Sequence, residues 1–113
     1  MANGHVEYSL PFELLPLVSK SSSFESDKFP VNNNPNISIS LSLVLSSGFS
    51  GSGVVLASQD DSTWFELTGT TATITGDDDV LWTLSELQSI MYLKVGVTID
   101  SGSGIFKIMA RGT

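Results

Sequence analysis

Apolar and polar residues alternate one by one in two stretches of this chain. Over 91–99 the apolar positions are Met91, Leu93, Val95, Val97 and Ile99, with Tyr92, Lys94, Gly96 and Thr98 between them. Over 37–45, Ile37, Ile39, Leu41, Leu43 and Leu45 alternate with Ser38, Ser40, Ser42 and Val44. A repeat of two sends successive side chains to opposite faces, so each stretch predicts a half-buried strand. Beyond residues 100–103, Phe106, Ile108 and Ala110 fall in one phase, and Lys107 and Arg111 in the other. Matching the apolar faces predicts a hairpin with Ile99 opposite Gly104, Val97 beside Phe106, Val95 beside Ile108 and Leu93 beside Ala110. Its connection would be the four residues 100–103, built on a type I turn. On its outer face Tyr92 would meet Arg111 and Gly96 would meet Lys107.

Shorter strands are expected between these stretches. Residues 54–57 are continuously apolar, as in a strand covered on both faces. Segments 64–67 and 71–75 place Phe65, Leu67, Ala72 and Ile74 inward, and 80–84 places Val80, Trp82 and Leu84 in one phase. Glycine-rich or acidic turns separate them at 48–53, 59–62, 68–70 and 76–79. Ser85, followed three residues later by Gln88, has the form of a capping box and predicts one helical turn over 86–90. About seven short strands with regularly spaced turns define an all-β fold, an antiparallel β-sandwich of jelly-roll type.

Residues 1–35 differ in texture. Val6, Tyr8 and Leu10 alternate with His5, Glu7 and Ser9, one short strand; Pro11 and Pro16 then bracket 12–15, and 19–36 is polar and turn-rich. Leu14, Leu15, Leu17, Val18, Phe24 and Phe29 are too many apolar residues for a solvated tail. The expectation is an extended N-terminal arm over 1–35, crossing a neighbouring subunit, ahead of a sandwich domain over 36–113. The candidate interface residues are Leu14, Leu15, Phe24 and Phe29 from the arm, with Phe49 at the tip of the 48–53 turn and Trp64, which is out of phase with Phe65 and Leu67. For Phe49 the competing expectation is that the ring folds back over the core edge. The serine face of 37–45 is either plainly solvated or a surface that another protein approaches.

Composition narrows the function. The 113 residues carry a formal charge of −7, which argues against nucleic acid as a direct partner because phosphate binding needs a basic face. There are no cysteines, so disulfides and thiolate metal sites are excluded, and no apolar run approaches the roughly 20 residues that span a membrane. The start lacks the basic and apolar regions of a secretory signal, so folding in the cytoplasm is expected. His5 is the only histidine; no G-x-S-x-G elbow is present and no triad can be assembled. Consecutive carboxylates at 77–79, with Asp60, Asp61 and Asp100 elsewhere, do not follow an EF-hand spacing. Trp64, Trp82 and Tyr92 are candidates for a sugar platform, with Trp82 better placed in the core; no carboxylate pair can be nominated for glycosidase chemistry. No enzyme, cofactor or metal is expected.

From Thr63 onward the chain resembles a group of small bacteriophage virion proteins. The features that carry the resemblance are Trp64 and Leu67 before Gly69, the run Thr73-Ile74-Thr75-Gly76, and Leu81-Trp82. They continue with Tyr92-Leu93-Lys94-Val95 before Val97-Thr98, Ser101-Gly102-Ser103-Gly104, and the closing Arg111-Gly112-Thr113. The resemblance implies a structural protein of a phage particle, assembled in the bacterial cytoplasm: a capsid decoration (cement) protein, or a tail or adaptor accessory. Its implied partners are the major capsid protein or other virion proteins, and further copies of itself. A carbohydrate-binding module using Trp64 and Phe49 is the alternative from another class.

Overall fold

A computed structural model describes residues 12–31, 36–76, 78–87 and 89–112. The short strand expected over 6–10, His5, Asp77 and Gln88 lie outside the described residues. Eight strands follow in order: β1 (Phe12–Lys20), β2 (Phe24–Glu25), β3 (Phe29–Pro30), β4 (Ile37–Ser58), β5 (Trp64–Glu66), β6 (Ala72–Thr75), β7 (Asp79–Leu84) and β8 (Tyr92–Gly112).

Two of them dominate. β4 and β8 run antiparallel along their whole lengths, from Ile37↔Gly112 through Ser47↔Ser103 to Ser58↔Tyr92. A straight strand of β8's 21 residues would reach about 70 Å, yet the longest dimension of the described chain is 48 Å. Both strands therefore bend, at Leu43–Gly51 and Ile99–Gly104, where the pairing register shifts repeatedly. Gly102 makes the corner possible. Its φ of +73° suits glycine, and a Cβ there would sit 2.3 Å from the Gly48 carbonyl oxygen.

The bend folds one broad sheet into two layers. In the first, which we call the serine layer, β1 pairs with the last half of β8, that half pairs with the first half of β4, and β4 pairs with β7. In the second, the ion-pair layer, β2 and β3 pair with the first half of β8, which pairs with the last half of β4; β4 then takes β5 and β6. The fold is thus an antiparallel sandwich in which long ribbons pass from one layer to the other, the jelly-roll arrangement expected from the turn spacing. Between the layers Phe49 meets Phe106 edge-on at 5.2 Å, and the inner side of Gly53 faces Trp82, Ile74 and Leu41. Ile37, Ile39, Leu41, Val55, Leu93, Val95, Phe106 and Ile108 are wholly buried there.

Three expectations are corrected. The two halves of 92–112 do not pair with each other as a hairpin; each pairs with β4, which presents the same apolar phase to both. Residues 48–53 are not a turn between strands but part of β4, which continues through its bend there. Gly51 serves close approach there, since a Cβ would lie 2.1 Å from the Thr98 carbonyl oxygen. No helix occurs among the described residues, and Glu86 stands at φ +58°, which a right-handed helical turn cannot accommodate.

The described part of the expected arm is also an edge of this sheet. β1 to β3 follow β8, and Ser26 fixes the kink between β2 and β3: its N–H donates to the Val95 carbonyl at 2.8 Å and its Oγ accepts the Val95 N–H at 2.9 Å. β1 to β3 thus pair into the same sheet as the strands of 37–112.

Candidate binding surfaces

Burial first sorts the sequence candidates. Leu14 and Phe29 are fully buried, and Phe49 is 4% exposed, so all three are core residues of this chain rather than exposed anchors. The reason is the same for each: the edge strands and the bend bring them over the inner face, where Phe29 meets Phe12 at 5.3 Å and Phe49 meets Phe106. Leu15 and Phe24 pack partly buried against the core, Phe24 on Phe106 at 5.2 Å. Trp64 is half-buried on the outer face, as its phase predicts. Phe65, expected inward, is 43% exposed because β5 is only three residues long and hangs at an edge opposite the small Ala57.

The outer face of the ion-pair layer is charged and aromatic. Lys94 Nζ binds Glu25 Oε1 at 2.8 Å and lies 4.1 Å from the centre of the Trp64 ring. Lys28 pairs with Asp61 and lies 4.8 Å from the Tyr92 ring centre. The hydrogen bond to Asp61, ahead of its charge, holds the Lys28 ammonium above its ordinary pKa. Beside these pairs a groove of about 370 Å³ runs over Gly96 between Glu25 and Glu66, floored by Val54 and Leu56.

The 59–62 turn below them is held by carboxylate and hydroxyl bonds. Asp60 Oδ1 accepts the N–H groups of Thr63 at 2.8 Å and Ser62 at 2.9 Å, while buried Ser58 Oγ accepts the Asp61 N–H at 2.8 Å. The Thr63 and Ser62 bonds lower the Asp60 pKa. The Asp60 carboxylate is thus committed to its own turn and that of Asp61 to Lys28, and no group of three metal-ligating side chains occurs among the described residues.

The outer face of the serine layer is different. Ser38, Ser40 and Ser42 form its central column, and each lies in a row across the sheet: Thr83–Ser38–Arg111, Leu81–Ser40–Met109–Glu13 and Asp79–Ser42–Lys107. Leu81 is 69% exposed, and Val44 and Leu45 extend the apolar area towards the bend. The alternation in the sequence marks the serine column; Leu81 is not marked as a surface residue, because the apolar phase of 80–84 belongs to its neighbours Val80, Trp82 and Leu84.

A third feature is the mouth between the layers on the β5–β7 side. This cleft of about 650 Å³ is lined by Phe65, Leu67, Trp82, Leu84, Leu87 and Ile90 among others. Thr70 closes its floor. Its carbonyl accepts the Trp82 Nε1–H at 2.6 Å, its Oγ accepts the Val55 N–H at 3.1 Å and donates to the Leu67 carbonyl at 2.7 Å, tying the two layers together.

These surfaces belong to a jelly-roll sandwich whose described residues offer faces, a groove and an edge cleft. The chain matches no protein-family model and no curated protein sequence. Among solved structures, the crystal structure of the SPBc2 prophage-derived protein YomS superposes with a TM-score of 0.61 over 97% of each chain at 12% identity. A CBM4 protein gives 0.52 at 11% identity, covering 80% of this chain and 61% of that one. The CBM22-1–GH10 modules of Clostridium thermocellum xylanase 10B, complexed with xylohexaose, give 0.51 at 8% identity over 97% of this chain and 28% of theirs. At such identities the likeness is one of fold.

Proposed function

We propose that the chain is a structural component of a phage-type particle, a decoration (cement) subunit that stabilises the shell by surface contact and turns over no substrate. The observation that carries this is the outer face of the serine layer. A central column of three serines, flanked by exposed Leu81, Val44 and Leu45 and bordered by Arg111, Lys107, Asp79 and Glu13, lets another protein approach the middle of the sheet closely. Such a contact gains about 25 cal/mol per Å² of apolar area, and symmetry repeats a modest gain over many copies. The whole-length likeness to a prophage-derived protein supports the reading, as does the phage-like patterning from Thr63 onward. The partners would be the major capsid protein or a neighbouring virion protein, and the place of action the virion; a tail or adaptor position is the variant of this role. Particles grown without the chain should disrupt at lower temperature than complete ones, and unchanged heat resistance would refute the cement role.

A second reading, carbohydrate binding, is favoured by Trp64 on an outer sheet face and by the fold shared with a CBM4 protein. Against it stands Lys94, whose ammonium covers the ring at 4.1 Å where a sugar would stack. Glycan-array binding that disappears in Trp64→Ala would favour this module over the shell role.

A further inference from the structure

The two long edges of the folded sheet are built differently. The edge made by β1 to β3 carries Pro16 and Pro30 with Lys20 and Lys28, the residues that blunt a strand edge against further pairing. The opposite edge, β5 to β7, has no proline, lysine or arginine anywhere in 59–91. Among the described residues β7 pairs only with β4, and none of them covers its other backbone edge. Beside that edge lies the cleft, its lining apolar and polar in nearly equal share, with Phe65 43% and Leu81 69% exposed. An open edge next to a mouth with exposed apolar side chains is the arrangement that accepts an added strand.

The chain itself carries a segment of matching form: Val6, Tyr8 and Leu10 alternate with His5, Glu7 and Ser9. Such a strand laid on β7 would turn its three apolar side chains into the cleft, in phase with Val80, Trp82 and Leu84, and leave Glu7 outward in phase with Leu81. Its own copy cannot supply it. Phe12 lies in the same cross-strand row as Trp82, but β8 and β4 stand between them. A strand added beyond β7 would be about 19 Å from β1, four spacings of about 4.8 Å. Leu10 is two residues from Phe12 and reaches at most about 7 Å. We propose that residues 6–10 of a second copy add to the β7 edge and fill the cleft, a head-to-tail contact that links copies in a ring or a row.

This deepens the assembly role proposed above, yet its test needs only purified full-length protein, so it can fail while shell binding stands. The chain has no cysteine, so introduced pairs are unambiguous. Glu7→Cys protein is mixed with isotope-labelled Leu81→Cys protein under mild oxidation, and mixed-copy disulfides are counted by mass spectrometry. The expected yield is at least about tenfold above that of a control pairing Glu7→Cys with Ser19→Cys, on the opposite edge. Adding Tyr8→Asp to the Glu7→Cys copy should bring the yield down to the control. A yield at Leu81 no higher than at Ser19 overturns the proposal, as does indifference to Tyr8→Asp. A double-cysteine protein that links within one chain at high dilution overturns it too.

Discussion

The serine layer and the ion-pair layer are made from halves of the same two strands, and both bury odd-numbered positions of β4. Their inner faces are interchangeable in kind: branched aliphatic residues with Phe49, Phe106 and Trp82 where the layers meet. Their outer faces are not. One holds Lys94 between Glu25 and Trp64, and Lys28 between Asp61 and Tyr92; the other has a central column of serines beside exposed Leu81, with Arg111, Lys107, Asp79 and Glu13 on the flanking strands. The difference teaches that inner positions determine the fold, while each outer face is free for its own task. A face that satisfies its charges internally is complete alone, whereas one with a short neutral centre next to exposed leucine is suited to a partner.

The sharpest way to break this division is to put the same charge on both sides of one strand. Val95→Asp buries an unpaired carboxylate and should cost on the order of 4 kcal/mol, enough to unfold a domain of marginal stability. Thr98→Asp, on the exposed phase of β8, should leave the urea midpoint almost unchanged. Equal damage from the two would contradict the facing. Next in size is the bond between layers. Trp82→Phe strands the Thr70 carbonyl beside the floor of the cleft and should cost about 2 kcal/mol in chemical denaturation; no loss would mean that the layers are not held there.

Smaller effects separate the outer faces. Lys94→Met removes one ion pair and one cation–π contact of a side chain only 17% exposed and should cost about 1 kcal/mol, less at high salt. Ser40→Arg on the other layer should change stability by under about 0.5 kcal/mol. If the two shift the thermal midpoint equally, the contrast between the faces fails. The smallest effect is that of pH. Because backbone bonds lower the folded pKa of Asp60, its contribution is complete above the unfolded carboxylate value of about 3.9 and fades as pH falls through the folded value. Acid unfolding of Asp60→Asn should therefore lack that share of the pH dependence, while an unchanged acid limb would show that the turn contributes nothing.

The sandwich was legible in the sequence because a strand with one buried face must alternate, as 37–45, 80–84 and 91–99 do. Pairing was less so. The apolar phase of Val95 and Val97 is satisfied equally by Ile108 and Phe106 in a hairpin or by Val55 and Gly53 across from β4, and alternation does not distinguish the two. The glycines of 48–53 signal a turn by composition, although Gly51 is there because the Thr98 backbone presses against it. Phe24 and Phe29 stood alone among polar residues and read as anchors for a neighbour. Their partners, Phe106 and Phe12, come from distant or separately interpreted segments that only the fold brings near. The cleft had no signature at all, since Phe65, Leu67, Trp82 and Leu87 share no local pattern.

The central claim is that the serine layer is the face that meets the shell. The direct measurement is add-back: particles prepared without the chain are mixed with purified wild-type or Ser40→Arg protein, pelleted, and the bound copies counted by quantitative mass spectrometry. The account predicts saturable binding of the wild-type chain in a fixed ratio to the shell protein, and loss of most of it with Ser40→Arg, while Lys94→Met binds normally. Equal binding by all three proteins, or none by the wild type, would contradict it.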